Sequence, residues 1–154
     1  VIASVQPYHV TFDSNEKVSR IGMERCRYEW PFRSLIDSGA RLALGTDYPV
    51  VGLNPFKNIY AAVSRCDDEG NPTSVNPQEA ITLAEALQGY TRWAACAYGR
   101  EDELGTLEKG KFADIIVIDR NMFEIPQKEI QDCQVELTVF DGAVIFDREK
   151  NGVC

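Results

Sequence analysis

Histidine is almost missing from this sequence: His9 is the only one in 154 residues. No His-x-His and no His-Glu-x-x-His pair exists, so a zinc site built from this chain alone lacks its usual nitrogen ligands. Basic clusters are missing too. Lys and Arg number 16 against 24 Asp and Glu, the net charge is −8, and the basic residues are scattered. That excludes nucleic acid as an expected partner, because phosphate binding needs a basic surface. The acidic balance is read as a solubility feature. No apolar run approaches the roughly 20 residues of a membrane span, so no membrane partner is expected. A basic start followed by an apolar stretch, the mark of a signal peptide, is not seen. Cys26, Cys66, Cys96, Cys133 and Cys154 are odd in number and contain no CxxC pair. A reduced, cytoplasmic setting is therefore expected rather than a disulfide framework.

What is present is organised. The length suits one domain with one core. Val1 opens directly into an apolar strand, Val1-Ile-Ala-Ser-Val5, and this suggests a piece of a longer protein. Gln6-Pro7-Tyr8-His9 is expected to be the turn at its end, since Pro7 cannot donate to a ladder. Residues 11–30 are polar and mixed; Met23, Cys26, Arg27 and Trp30 fall at near-helical spacing, which allows a short helix or a lid-like loop. Pro31 to Gly39 reads as a helix with Gly39 as its stop. Arg41-Leu-Ala-Leu-Gly-Thr-Asp-Tyr-Pro-Val50 then reads as a buried strand that delivers a carboxylate, Asp47, at its C-terminal tip. Strand, helix and strand in one short segment are the grammar of a parallel βαβ unit. In a (β/α) barrel, strand tips of that kind carry the catalytic groups.

Residues 54–65 predict a helix, with Asn54 as its cap and Pro55 in its first turn. Residues 66–79 are turn-rich and predict a loop. Thr82 and Glu85 form a capping box, and the helix it opens is expected to run to Gly99. After residue 105 the hydrophobic period changes to two. Strands are expected at Ala113–Asp119, Val135–Phe140 and Ala143–Asp147, the last two joined by an Asp141-Gly142 hairpin turn. The shift from α/β to β places a domain boundary near residue 105, giving units of 1–104 and 105–154.

Several segments in order carry a resemblance. They are Ala3-Ser-Val-Gln-Pro-Tyr-His9, Arg33-Ser-Leu-Ile-Asp-Ser-Gly-Ala40, Gly45-Thr-Asp-Tyr-Pro49 and Leu83-Ala-Glu-Ala-Leu87 with Tyr90-Thr91 and Ala94-Ala95. Gly105-x-Leu-Glu-x-Gly-Lys-x-Ala-Asp114 is the most specific, and Thr138-x-x-x-Gly142 completes the set. Together they resemble the C-terminal part of the amidohydrolase superfamily, in its family 3 group, which includes N-substituted formamide deformylase-like enzymes and exoenzyme regulatory proteins. The resemblance implies the last part of a (β/α)₈ metal-dependent hydrolase barrel, followed by the C-terminal strands of a small composite β-sandwich. It implies hydrolysis of a non-peptide C–N bond in an amide, formamide or cyclic amide, through metal-activated water and with a small-molecule substrate. The alternative it carries is a non-catalytic regulatory or binding protein on the same scaffold.

By residue type alone, Asp47 is a strand-end turn aspartate. The resemblance makes it the catalytic acid–base group and the one metal ligand in the chain. The other ligands of a divalent ion, zinc by first expectation, are implied upstream, so this chain alone is expected to be inactive. His9, Gln6 and Tyr8 are the candidate substrate-binding residues; the bland reading is a partly buried structural histidine for His9 and plain loop polarity for Gln6 and Tyr8. Arg27 and Arg65 are possible carboxylate forks or plain surface charges, and Trp30 and Trp93 are expected to pack. Unpaired parallel strand edges allow a homo-oligomer.

Overall fold

The computed structural model describes residues 1–150 and 152–153. Cys154 lies outside the described residues. Two short strands, β1 (Ile2–Val5) and β2 (Arg41–Leu44), pair in parallel with Ile2 opposite Arg41 and Val5 opposite Leu44. A parallel pair needs a long crossover. Here it is built from α1 (His9–Ile21), α2 (Met23–Cys26) and α3 (Phe32–Asp37). Behind the strands lie α4 (Pro55–Ser64), α5 (Leu83–Tyr90) and α6 (Arg92–Tyr98). The chain ends in an antiparallel sheet of β3 (Ile115–Ile118), β4 (Val135–Phe140), β5 (Ala143–Asp147) and β6 (Gly152–Val153), in that order.

Local chemistry explains most of these elements. Asn54 caps α4 by accepting from the Phe56 amide at 2.9 Å, with Pro55 in the first turn. The Thr82–Glu85 capping box forms in both directions at the start of α5. Helix α3 stops where expected: Gly39, at φ +87°, donates to the Ile36 carbonyl and Ala40 to that of Leu35. Those two bonds are the Schellman pattern, which places a glycine in the left-handed region. Asp141 and Gly142 both take positive φ in the β4–β5 hairpin, as a type I′ turn demands. The Asp114 carboxylate accepts from the Asp141 amide at 2.8 Å and so anchors that turn.

Three expectations about the elements need correction. The polar stretch after Pro7 holds a 13-residue helix, and His9 is its first residue rather than the end of a turn. Its inward stripe is only Val10, Ser14 and Val18, so the four-residue repeat is hidden among polar neighbours. The helix from Leu83 is not continuous to Gly99 but breaks at Thr91. The Thr91 hydroxyl donates to the Leu87 carbonyl at 2.7 Å, a bond that bends helices, and Gly105 backbone packs into the bend. Strand β3 is shorter than expected, Ile115–Ile118, and its pairing with β4 shifts register between Val117 and Ile118. A 3₁₀ segment at Gln127–Asp132 and strand β6 have no clear hydrophobic period and were not expected.

The main core gathers Phe32, Leu42, Leu44, Phe56, Ile59 and Tyr60, with Met122 and Ile130 from the later part of the chain. Trp30 and Trp93 pack against it. Each such large apolar side chain contributes about 1.5–3 kcal/mol when fully buried. Helix α3 is held from two sides. Buried Glu79 accepts from the Ser34 amide and hydroxyl, and Arg33 bridges to Glu85 at 2.8 Å. Arg65 is buried, not a surface fork: it donates to the Trp30 and Val75 carbonyls and lies over the Phe32 ring. Burial pushes its guanidinium down to about 10, while the charge of Glu79 opposes that shift. Cys26, Cys66, Cys96 and Cys133 are free thiols. No helix among the described residues is long and apolar enough to cross a membrane.

The closest approach of helix to sheet tests this packing. A methyl group on Gly89 of α5 would stand 2.6 Å from Leu44 Cγ and 3.0 Å from the Leu42 carbonyl oxygen. Overpacking of this kind costs about 1–3 kcal/mol, against roughly 1 kcal/mol gained from alanine's better helix propensity. Gly89→Ala is therefore expected to lower the denaturation midpoint. A midpoint equal to or above the native one would contradict the packing.

Candidate active site

Parallel pairing sends the C-terminal tips of β1 and β2 out of the same end of the sheet. The Gly45 amide still donates to the Val5 carbonyl, at 3.0 Å, so the two chains separate only after Val5 and Gly45. Gln6, Tyr8 and His9 follow the first tip, and Asp47 follows the second. The structure thus brings all four sequence-derived candidates to one end of the sheet.

Asp47 stands at φ +55°. Aspartate tolerates this left-handed backbone better than most residues. Its carbonyl accepts from the Val50 amide at 2.8 Å, closing a turn, and its side chain is exposed. Around it Tyr48, Val50 and Leu53 are also exposed, an unusual set of apolar groups at a strand tip.

His9 packs against Phe12, with ring centroids 5.5 Å apart. Its Nε2 is buried and has no hydrogen-bond partner among the described residues. A buried polar nitrogen of that kind is costly to leave unpaired. Gln6 supplies its carbonyl to the His9 amide at 3.2 Å. Tyr8 is tied down: its hydroxyl donates to Asp68 at 2.9 Å, and Lys57 holds the other oxygen of the same carboxylate.

The sequence reading missed two residues that hold the first tip and one that fastens the crossover. Asn58 accepts from the Tyr8 amide at 3.1 Å. Asp68 takes the Tyr8 hydroxyl. Asn76 donates to the Cys26 and Glu29 carbonyls, both at 2.8 Å, and fastens the crossover between α2 and α3. Asn58 had left a trace in the sequence: it is a lone carboxamide in the apolar face of α4. Asp68 and Asn76 look like ordinary loop polarity.

The donor set does not by itself make a metal centre. Among the described residues no group of three His, Cys, Asp or Glu side chains could hold a metal ion, whereas a catalytic zinc takes three protein ligands. The two tips offer one carboxylate and one imidazole.

An acid carried past the C-terminal tip of a parallel strand, at the same sheet end as a second strand tip with polar residues, is where (β/α) barrels carry their catalytic groups. Comparison with known proteins makes the class specific. The amidohydrolase family model matches residues 1–146, and the chain belongs to that family, in its family 3 group. N-substituted formamide deformylase of Arthrobacter pascens is 37% identical over 119 residues, covering 77% of this chain and 22% of that protein. Protein LONG AFTER FAR-RED 3 of Arabidopsis thaliana is 35% identical over 131 residues, covering 84% of this chain and 22% of that protein. The crystal structure of an uncharacterized metal-dependent hydrolase from Pyrococcus horikoshii superposes with a TM-score of 0.70 at 30% identity, over 82% of this chain and 26% of that one. The chain thus spans about 22% of the length of those two curated relatives.

The Tyr8 anchor has a measurable consequence. Burial pushes the phenol up to about 12, helped by the bond to Asp68 and by the charges of Asp68 and Glu69. The unfolded phenol ionises near 10. Between these values the folded chain keeps a proton that the unfolded chain has lost. This contribution is complete below pH ~10 and disappears as pH rises toward the folded value. Tyr8→Phe should therefore show a shallower loss of stability than the native chain across that window, by denaturation at stepped pH. Parallel curves would contradict the half-buried Tyr8–Asp68 contact.

Proposed function

We propose that this chain is the C-terminal part of a metal-dependent amidohydrolase that hydrolyses a non-peptide C–N bond in a small amide, formamide or cyclic amide. In this reading β1 and β2 are the last two strands of a (β/α)₈ barrel. Residues 1–104 belong to that barrel, and residues 105–154 to a composite β-sandwich. The observation that supports the proposal is the shared end of β1 and β2, from which both the Asp47 segment and the Gln6–His9 segment emerge. The match to a formamide deformylase supports the bond type. Exposed Ile116, Phe140 and Val144 on the C-terminal sheet support further protein packing there, since apolar surface of this kind marks an interaction face.

Asp47 then acts as the acid–base group. Its carboxylate accepts a proton from water as the water oxygen bonds to the substrate carbonyl carbon. It returns that proton to the nitrogen as the C–N bond breaks, releasing amine and acid. His9, Gln6 and Tyr8 line the substrate side of this sheet end, with Tyr8 also fastening the start of α1 through Asp68 and Asn58. A divalent metal, zinc by first expectation, belongs to the whole enzyme, with Asp47 as this chain's ligand and the others supplied elsewhere. The enzyme is proposed to work in the cytoplasm.

The test is Asp47→Asn in the whole enzyme, assayed on N-substituted formamides and cyclic amides. Asparagine also accepts positive φ and the site is exposed, so the fold should survive. Turnover should fall about 100-fold or more, as expected when a general acid–base group is removed. A native protein that turns over none of the panel after metal addition would instead favour a regulatory or binding role on this scaffold.

A further inference from the structure

Asn58 has no exposed surface. It lies on α4, the helix that follows the Asp47 segment, and it reaches across to the other strand unit. Its Oδ1 accepts the Tyr8 amide at 3.1 Å, a contact between residues 50 apart in sequence. Its Nδ2 is buried with no partner among the described residues. A buried amide nitrogen left unpaired is unfavourable, and a leucine of similar size would fill the position without that cost. The distinctive thing asparagine does here is take the Tyr8 amide, one of the donors that a helix start leaves unpaired. No side-chain cap from α1 itself does so.

Its neighbour strengthens the link. Lys57 holds Asp68, which accepts the Tyr8 hydroxyl. Two consecutive residues of α4 are therefore tied to Tyr8, Asn58 directly at its backbone and Lys57 through Asp68 at its hydroxyl. The next residue is His9, whose Nε2 is buried and unpartnered.

We propose that Asn58 is a positioning residue that locks the His9-bearing start of α1 to the strand unit carrying Asp47. The proposal rests on the reading of these two strand tips as the active site. A catalytic group displaced by about 1 Å can lose ~100-fold in rate, and a single buried bond across two βα units prevents such a drift.

The test compares Asn58→Leu with Asn58→Asp, which keeps an acceptor oxygen at the same place. In the whole enzyme the His9 imidazole signals are those that a His9→Gln substitution removes from the NMR spectrum. In Asn58→Leu the helical circular dichroism should persist. The Tyr8 amide should exchange about tenfold faster or more, and the His9 ring signals should move. Asn58→Asp should restore both. Native-like Tyr8 exchange and His9 signals in Asn58→Leu would overturn the proposal, as would failure of Asn58→Asp to restore them. If Asn58→Leu does not fold, Asn58→Asp decides alone by the same two signals. In the whole enzyme, kcat should fall about 100-fold in Asn58→Leu with KM changed less than about threefold, and recover in Asn58→Asp. Absence of turnover in the native enzyme would sink the hydrolase reading, while amide exchange would still decide the lock.

Discussion

Everything at the candidate site depends on the parallel pairing of two four-residue strands in one register. Val5 sits opposite Leu44, and the Gly45 amide extends the ladder by one bond. Side chains alternate across a strand, so a one-residue slip would turn Leu42 and Leu44 away from the core. Burial of those two leucines therefore holds the register, and the register holds the relative height of the two strand tips. An antiparallel pair would have sent Gln6 and Asp47 to opposite ends. Parallel pairing sends them to the same end and leaves the crossover to cover the distance.

The packing behind the strands keeps the pair rigid enough to matter. Gly89 lets α5 approach β2 until backbone nearly meets side chain. Glu79 and the Arg33–Glu85 bridge fix α3 at the entry to β2. A smaller cluster of Val10, Cys26 and Val75 seats the crossover against the 66–79 loop, and Asn76 closes it with two carbonyl contacts. The site is thus assembled from loop ends, but each loop end is tied to a buried element. Exposed binding groups on a rigid scaffold are the usual division of labour between loops and core.

Much of this was legible because local chemistry and tertiary demands agree. The Asn54 and Thr82 caps, the Gly39 stop and the Asp141-Gly142 turn each need one residue type for one backbone geometry, and the sequence supplies it. The Gly45-Thr46-Asp47 tip was legible for a similar reason: an apolar run ends at a turn that tolerates positive φ. What was not legible depends on distant partners. The narrow stripe of α1 has meaning only against Cys26 and Val75. The break at Thr91 depends on Gly105 packing into it. Asn58 looks like a flaw in an apolar helix until Tyr8, 50 residues away, is seen to need its oxygen. Arg65 resembles a surface cation and is instead a buried clamp, because its carbonyl partners lie at Trp30 and Val75.

The most direct measurement is a crystal structure of the whole enzyme with a non-hydrolysable amide analogue bound. The account predicts the analogue at the shared end of β1 and β2. Its reacting centre should lie within hydrogen-bond reach of the Asp47 carboxylate, with the His9 ring against the ligand. An analogue seated elsewhere, with both strand tips untouched, would contradict the account.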